Sequence, residues 1–288
     1  MTAGSPPAYH GALAAAARWR LPFTRQAWRG LAGNWRGVGA GSSLDFQDHR
    51  NYMPGDDPRH IHWPAFARTG ALTMKLYRAE ATPVVEIVVD VSASMSVTPA
   101  KNARVDELLA FCVECADKSG APVRLRAVSG REQAPLSSEQ VRAGRWRERL
   151  PTALGSSRPP GPLIWRGGAM KILISDLLFP GEPSTFLASM AIGSGTAIIF
   201  APCLAEEADL SARGNIQLVD CESDAVREQR IDAELAGRYR SAYARHFALW
   251  TEACFRRGVL LARISSEHPL TAAFAGQAYS VGAIEAAV

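Results

Sequence analysis

The sequence predicts an α/β fold, a mostly parallel central sheet flanked by helices behind an N-terminal extension, and three observations carry that reading. Val84 to Val89 is a run of β-branched residues broken only by Glu86, as expected of a strand covered on both faces, and it ends on Asp90. A second apolar run, Met170 to Ser175, also ends on a carboxylate, Asp176. Strand-like runs alternate with helical periodicity from there to residue 264, the pattern of parallel strands joined by helical crossovers. The division expected is an extension over 1–83 and the α/β domain over 84–288.

Within the extension, a Pro/Ala/Gly-rich start leads into Arg18, Arg20, Arg25, Arg29 and Arg36 set among Trp19, Trp28 and Trp35. Such a basic, tryptophan-bearing segment suits an anionic membrane surface or an acidic partner, so residues 18–36 are a candidate peripheral contact. Its short apolar face favours a helix that docks its tryptophans on the protein and leaves its arginines in water. After Gly37, Gly39 and Gly41 comes a dense polar stretch, Leu44 to Trp63. There Pro54-Gly55 makes a corner, Asp56 or Asp57 caps the next helix, and Pro58 suits a first helical position. One or two short helical pieces are expected between 58 and 69, with Ile61, Ala65 and Phe66 inward, Pro64 as an interruption and Gly70 as the stop. Asp48, His49, Asp56, Asp57, His60 and His62 crowd together here without the spacing of a metal-binding helix, so capping and ion pairing explain them better than catalysis. Leu72, Met74 and Leu76 alternate with polar residues as a half-buried strand does.

In the α/β domain, Val105, Leu108, Leu109, Cys112, Val113 and Ala116 recur at helical spacing and predict a helix from about Asn102 to Lys118, closed by Gly120. A strand over Val123–Val128, an edge strand over Gln133–Leu136, helix over 138–150 and a loop at 156–161 come next. Beyond the Met170 strand come a helix over Ser184–Met190 and strands over Thr196–Phe200 and Ile216–Val219. A long helix from Asp232 to Arg257, striped by Tyr239, Tyr243, Phe247, Trp250 and Cys254, leads to a last strand over Val259–Ile264.

The chain has 288 residues, enough for one substantial core, and its formal charge of +4 is too small, spread over this length, to imply a nucleic-acid partner without a localised basic stripe. No stretch has the length of a membrane span and the first thirty residues lack the apolar core of a signal peptide, so the cytoplasm is the expected location. Five scattered cysteines, Cys112, Cys115, Cys203, Cys221 and Cys254, fit reduced thiols; Cys112 and Cys115 fall inside the predicted helix and read as core thiols rather than zinc ligands.

The chemistry concentrates where the first strand ends. Asp90, Ser92 and Ser94 form D-x-S-x-S, and alternate residues of an extended loop point to one side, so a carboxylate and two hydroxyls can converge. Hard oxygen donors of this kind suit Mg²⁺ or Mn²⁺. Asp176 joins directly or through water if its strand lies beside the first. Two neutral hydroxyls leave much of a divalent charge uncompensated, which favours a device completed by a partner's acidic side chain over a hydrolytic centre.

D-x-S-x-S after an apolar strand, followed later by Ile174-Ser175-Asp176, is similar to the metal-ion-dependent adhesion site of von Willebrand factor type A domains. The stretch from Asp48 through Tyr52-Met53-Pro54-Gly55-Asp56-Asp57 to Trp63, then Ala67-Arg68-Thr69-Gly70 and Asp90 to Met95, resembles the signature of the domain of unknown function 58 family. The resemblance implies the Rossmann-like type A fold and a metal held by Asp90, Ser92, Ser94 and Asp176. It also implies a non-enzymatic role as an adaptor or co-chaperone of MoxR-type AAA+ ATPases. Two departures stand out: His62 occupies a position where the family usually has Asp, and no clear threonine precedes the Met170 strand, although Thr152, Ser156 and Ser157 lie near. Two other readings remain. A metal-dependent phosphohydrolase would use Asp90 as nucleophile but wants an acid two positions on, where Ser92 stands. A membrane-surface scaffold would act through the basic tryptophan segment.

Overall fold

The structure, a computed structural model, describes residues 6–23, 44–79, 84–151, 160–161, 163–193, 195–210 and 212–287. The chain divides into two compact units, residues 27–82 and the remainder. The expected division was 1–83 and 84–288; by contacts, residues 1–26 group with residues 83–288.

The larger unit is built on a six-stranded sheet. Its strands are β1 (Val85–Asp90), β2 (Val123–Ser129), β3 (Glu132–Leu136), β4 (Met170–Ile174), β5 (Ala197–Cys203) and β6 (Val259–Ser265), in the spatial order β6-β5-β4-β1-β2-β3. All neighbours run parallel except the edge strand β3, which turns back antiparallel on β2 through Gly130. The central position of β1 explains its composition: Val85, Ile87, Val88 and Val89 are all fully buried, each burial worth roughly 1.5–3 kcal/mol.

Four longer helices accompany the sheet: α1 (Pro7–Arg18), α2 (Pro99–Lys118), α3 (Pro183–Ala191) and α4 (Ala233–Arg257). On one face Leu187 and Met190 of α3 and Phe247, Trp250 and Cys254 of α4 pack over Val88, Leu173, Ile199 and Leu261. The predicted stripe of α4 is thus core, with Tyr239 reaching out of it to donate to the Glu207 carbonyl at 2.7 Å. Phe111 of α2 meets Phe274 at 4.6 Å, and that ring also neighbours Phe200 of β5 at 6.0 Å. Cys112 and Cys115 are buried in α2 as core thiols, and all five cysteines are free.

Helix α1 was not anticipated by the Pro/Ala/Gly-rich composition of the start. It packs against α2 through Ala12, Ala15 and Ala16, small enough for close approach, and Lys118 closes the contact on the Ala16 carbonyl at 2.8 Å. Trp19 and Arg20 then pair with Glu285 and Ala286, tying the two ends of the unit. Arg25, Trp28, Arg29, Trp35 and Arg36 lie outside the described residues.

Two further differences concern strands and helix length. Gly214–Val219 pairs antiparallel with Val226–Ile231 as a separate hairpin between β5 and α4, not as part of the main sheet. The mixed Val-Arg-Glu-Gln-Arg-Ile return strand is mostly exposed, so no buried face marked it in the sequence. The helix expected over 138–150 reduces to Ser138–Arg142, opened by a capping box from Ser137 and Gln140, and a 3₁₀ turn at Arg147–Arg149.

In the smaller unit, Leu44–Asn51 pairs antiparallel with Thr73–Ala79, so the Leu72–Leu76 strand has its partner within the signature stretch rather than in β1. Asp57 caps a 3₁₀ turn at Pro58–His60, and helix Trp63–Thr69 ends on Gly70 in the left-handed region. Pro64 falls in the first turn of that helix, where a missing N–H is harmless, so it does not interrupt. Asp56 accepts from both Arg50 guanidinium nitrogens at 2.6 and 2.7 Å and from the Met53 amide at 2.9 Å; the Arg50 hydrogen bonds hold its carboxyl below the usual range. The capping and pairing roles expected for Asp56 and Asp57 hold, whereas the Asp48 and His49 side chains lie outside the described residues. Phe66, expected inward, is exposed.

Candidate metal and docking site

The register between β1 and β4 sets Val89 opposite Ile174, so both chains leave the sheet together, with Ser175 across from Asp90 and Asp176 one residue further. Asp90 is 1% exposed. One carboxylate oxygen accepts from the Ser92 amide at 2.9 Å and the other from the Ser175 hydroxyl at 2.7 Å. Burial, and then the charge of Asp176, push the Asp90 carboxyl up to about 7, against these two hydrogen bonds.

After Asp90 the backbone is extended only as far as Ser92, then turns into a 3₁₀ segment, Ala93–Ser96. The hydroxyls of Ser92 and Ser94 still converge, 3.3 Å apart. Neighbouring ligands on an octahedral ion at about 2.1 Å are roughly 3.0 Å apart, so this pair suits two adjacent positions on such an ion. Met95 turns inward, 2% exposed, and its sulfur accepts the Asp176 amide at 3.2 Å, pinning the loop to the end of β4.

Asp176 is held by a group the sequence reading did not include. Lys101, in the first turn of α2, is fully buried and donates to Asp176 at 2.7 Å and to Glu207 at 2.5 Å. The other Asp176 oxygen accepts the Leu178 amide at 3.1 Å. Burial works against the Lys101 charge, but the two carboxylates outweigh it and hold its pKa above the ordinary lysine value. The next residue, Leu177, is buried with φ at +60°, a conformation that bulky residues rarely adopt, and His246 of α4 donates to its carbonyl at 2.8 Å.

A further carboxylate comes from the tip of the 214–231 hairpin. Glu222 accepts from the Ser94 amide at 2.9 Å and from the Ala93 amide at 3.3 Å, 128 and 129 residues away in sequence. The tip is held in shape by Asp220, which accepts from the Glu222 amide at 3.0 Å and the Ser223 hydroxyl at 2.5 Å.

The structure therefore brings Asp90, Ser92 and Ser94 together in one loop and sets Asp176, at the end of β4, on a lysine. Among the described residues no three His, Cys, Asp or Glu side chains gather in the manner of a dedicated metal cage. The donor set nonetheless fits a hard divalent cation: a buried carboxylate whose charge is under-compensated lies beside two converging hydroxyls, with acidic neighbours in Asp176, Glu207 and Glu222 against the single ammonium of Lys101. Asp90, Ser92 and Ser94 would hold the ion, with Asp176 as a further acidic group at the end of β4. Thr152, Ser156 and Ser157 lie outside the described residues. Lys101 had a signal in the sequence, since it falls four residues before Val105 on the apolar stripe of α2; Glu222 had none that linked it to this loop.

One comparison with known proteins falls on the signature stretch. A family model described as "Protein of unknown function DUF58" matches residues 48–143, from the polar stretch through β1, the Asp90 loop and α2. Uncharacterized proteins of Mycobacterium tuberculosis and Mycobacterium bovis are each 28% identical over 235 residues, covering 76% of this chain and 73% of theirs. Among solved structures, the conserved hypothetical protein BatB from Bacteroides thetaiotaomicron is 12% identical, with a TM-score of 0.38 over 69% of this chain and 98% of its own. Among the described residues no helix is long and apolar enough to cross a membrane.

Proposed function

We propose that this chain is a non-enzymatic interaction protein with a von Willebrand factor type A-like domain, which docks an acidic side chain of a protein partner through a Mg²⁺-dependent site at Asp90, Ser92 and Ser94. The observation that carries the reading is the loop itself: two hydroxyls 3.3 Å apart beside the buried Asp90 at the carboxyl end of the central strand. Ligand sites in open α/β sheets form outside the carboxyl ends of strands. A bound divalent ion would supply the positive charge that draws a partner's carboxylate. Asp90 anchors the ion, Ser92 and Ser94 present neutral donors that leave its charge largely available, and Asp176 with Lys101 holds the floor of the site.

The proposed partner is a MoxR-type AAA+ ATPase, with this chain as its adaptor or co-chaperone; the signature stretch at residues 48–63 supports that assignment by resemblance. Association of the full chain with such an ATPase should require Mg²⁺ or Mn²⁺ and fall at least tenfold in Asp90→Ala, measured by calorimetry with and without EDTA. Equal binding in EDTA would refute the metal requirement, and equal binding by Asp90→Ala would refute the site. A phosphohydrolase reading is less well supported, because Ser92 stands where an aspartate-nucleophile phosphatase needs its acid and Asp90 is bound on both oxygens. Turnover of p-nitrophenyl phosphate that disappears in Asp90→Asn would reinstate it.

A further inference from the structure

A docking loop that reads a carboxylate should be open, yet here the amides of Ala93 and Ser94 already hold one. We propose that Glu222 is a built-in latch: its carboxylate holds the amides of Ala93 and Ser94, so that the hairpin tip keeps the loop closed to a partner's acidic side chain until the tip is displaced. The inference rests on the carboxylate-docking reading of the loop but concerns a different residue and a different contact.

Three features favour a latch over an incidental contact. Glu222 uses both carboxylate oxygens, one on each of two successive amides, the two-point grip with which backbone N–H groups hold an anion. The grip spans two elements far apart in sequence, and the tip is shaped for it by Asp220, which fixes both the Glu222 amide and the Ser223 hydroxyl. The hairpin that delivers Glu222 stands outside the main sheet as its own two-stranded pair, and Leu218, Val219 and Val226 at its end are exposed. It can therefore move without unpairing any strand of the core. A partner drawn to the loop would displace the tip, and the freed apolar tip would be available to the newcomer.

Amide hydrogen exchange at Ala93 and Ser94 tests this in the full chain, with the Val91 amide, bonded to the Val128 carbonyl at 3.0 Å, as the internal control for global opening. In Glu222→Gln the two loop amides should exchange about tenfold faster while Val91 is unchanged, since a charge-assisted bond is replaced by a weak neutral one. Sodium acetate, compared with sodium chloride at equal ionic strength, should restore part of that protection in Glu222→Gln and add none to the wild type. Adding Mg²⁺ separates the two readings. If Mg²⁺ changes nothing in either protein but the Glu222→Gln and acetate effects hold, the metal requirement fails and the latch stands. Equal exchange at Ala93 and Ser94 in wild type and Glu222→Gln, or no response of the variant to acetate, overturns the latch.

Discussion

Lys101→Met is the sharpest test of how the site is supported. The ammonium is fully buried, its partners Asp176 and Glu207 are 2% and 14% exposed, and both contacts are at hydrogen-bond distance, 2.7 and 2.5 Å. Methionine preserves most of the volume and removes the charge, leaving two carboxylates facing each other in a poorly solvated space. Breaking a buried pair by removing one partner costs about 3–5 kcal/mol, a large part of the roughly 5–15 kcal/mol that holds a domain folded. With a urea dependence of about 3 kcal/mol per molar, the unfolding midpoint should fall by about 1 M or more. Adding Asp176→Asn and Glu207→Gln should recover most of the loss, because the uncompensated charges are then gone. A divalent cation that binds beside Asp176 should also recover part of it, by about 2.7 kcal/mol at a hundredfold excess over its dissociation constant. A midpoint for Lys101→Met within about 0.3 M of wild type would refute the claim that this lysine neutralises the floor of the site.

Thiol reactivity and capping supply two more tests. Cys221, exposed at the hairpin tip, should be the first thiol to react with Ellman's reagent at pH 8, whereas burial raises Cys112 well above the ordinary thiol range and pushes Cys115 and Cys254 up to about 12, so these should react only on unfolding; a fast phase that survives Cys221→Ser would contradict this. Asp232 caps helix α4 by accepting the Leu235 amide at 2.8 Å, so Asp232→Ala should lower stability by about 0.5–2 kcal/mol, read as a decrease in the thermal midpoint, and an unchanged midpoint would contradict the capping role.

The sheet was legible because its strands are buried on both faces and therefore carry long apolar runs, and because Asp90 and Asp176 interrupt those runs where the chain leaves the sheet. Asp90, Ser92 and Ser94 were legible as a group by their alternate spacing, but Ser94 reaches Ser92 through a 3₁₀ turn rather than along the extended loop that spacing suggested. What the sequence did not disclose depended on contacts between distant segments. Helix α1 is held by alanines against α2, a packing that composition alone reads as a Pro/Ala/Gly-rich start. The return strand Val226–Ile231 is exposed and so has no hydrophobic alternation to detect. Leu44–Asn51 reads as a polar loop until its antiparallel partner is known. Lys101 was visible as a charge on an apolar stripe but its two carboxylates lie 75 and 106 residues further on, and Glu222 belongs to an acidic turn that resembles any solvated hairpin tip.

The left-handed Leu177 gives the long helix a hold on the site. A buried leucine at φ +60° lies about 1–2 kcal/mol above its relaxed backbone, and it stays there because its neighbours leave it no alternative. One of those restraints is His246, whose imidazole grips the Leu177 carbonyl from the middle of α4, and the residue on the other side of the corner is Asp176. A load on α4 would thus be transmitted as torque on the peptide that aims Asp176, making the helix a lever arm and the strained corner its fulcrum.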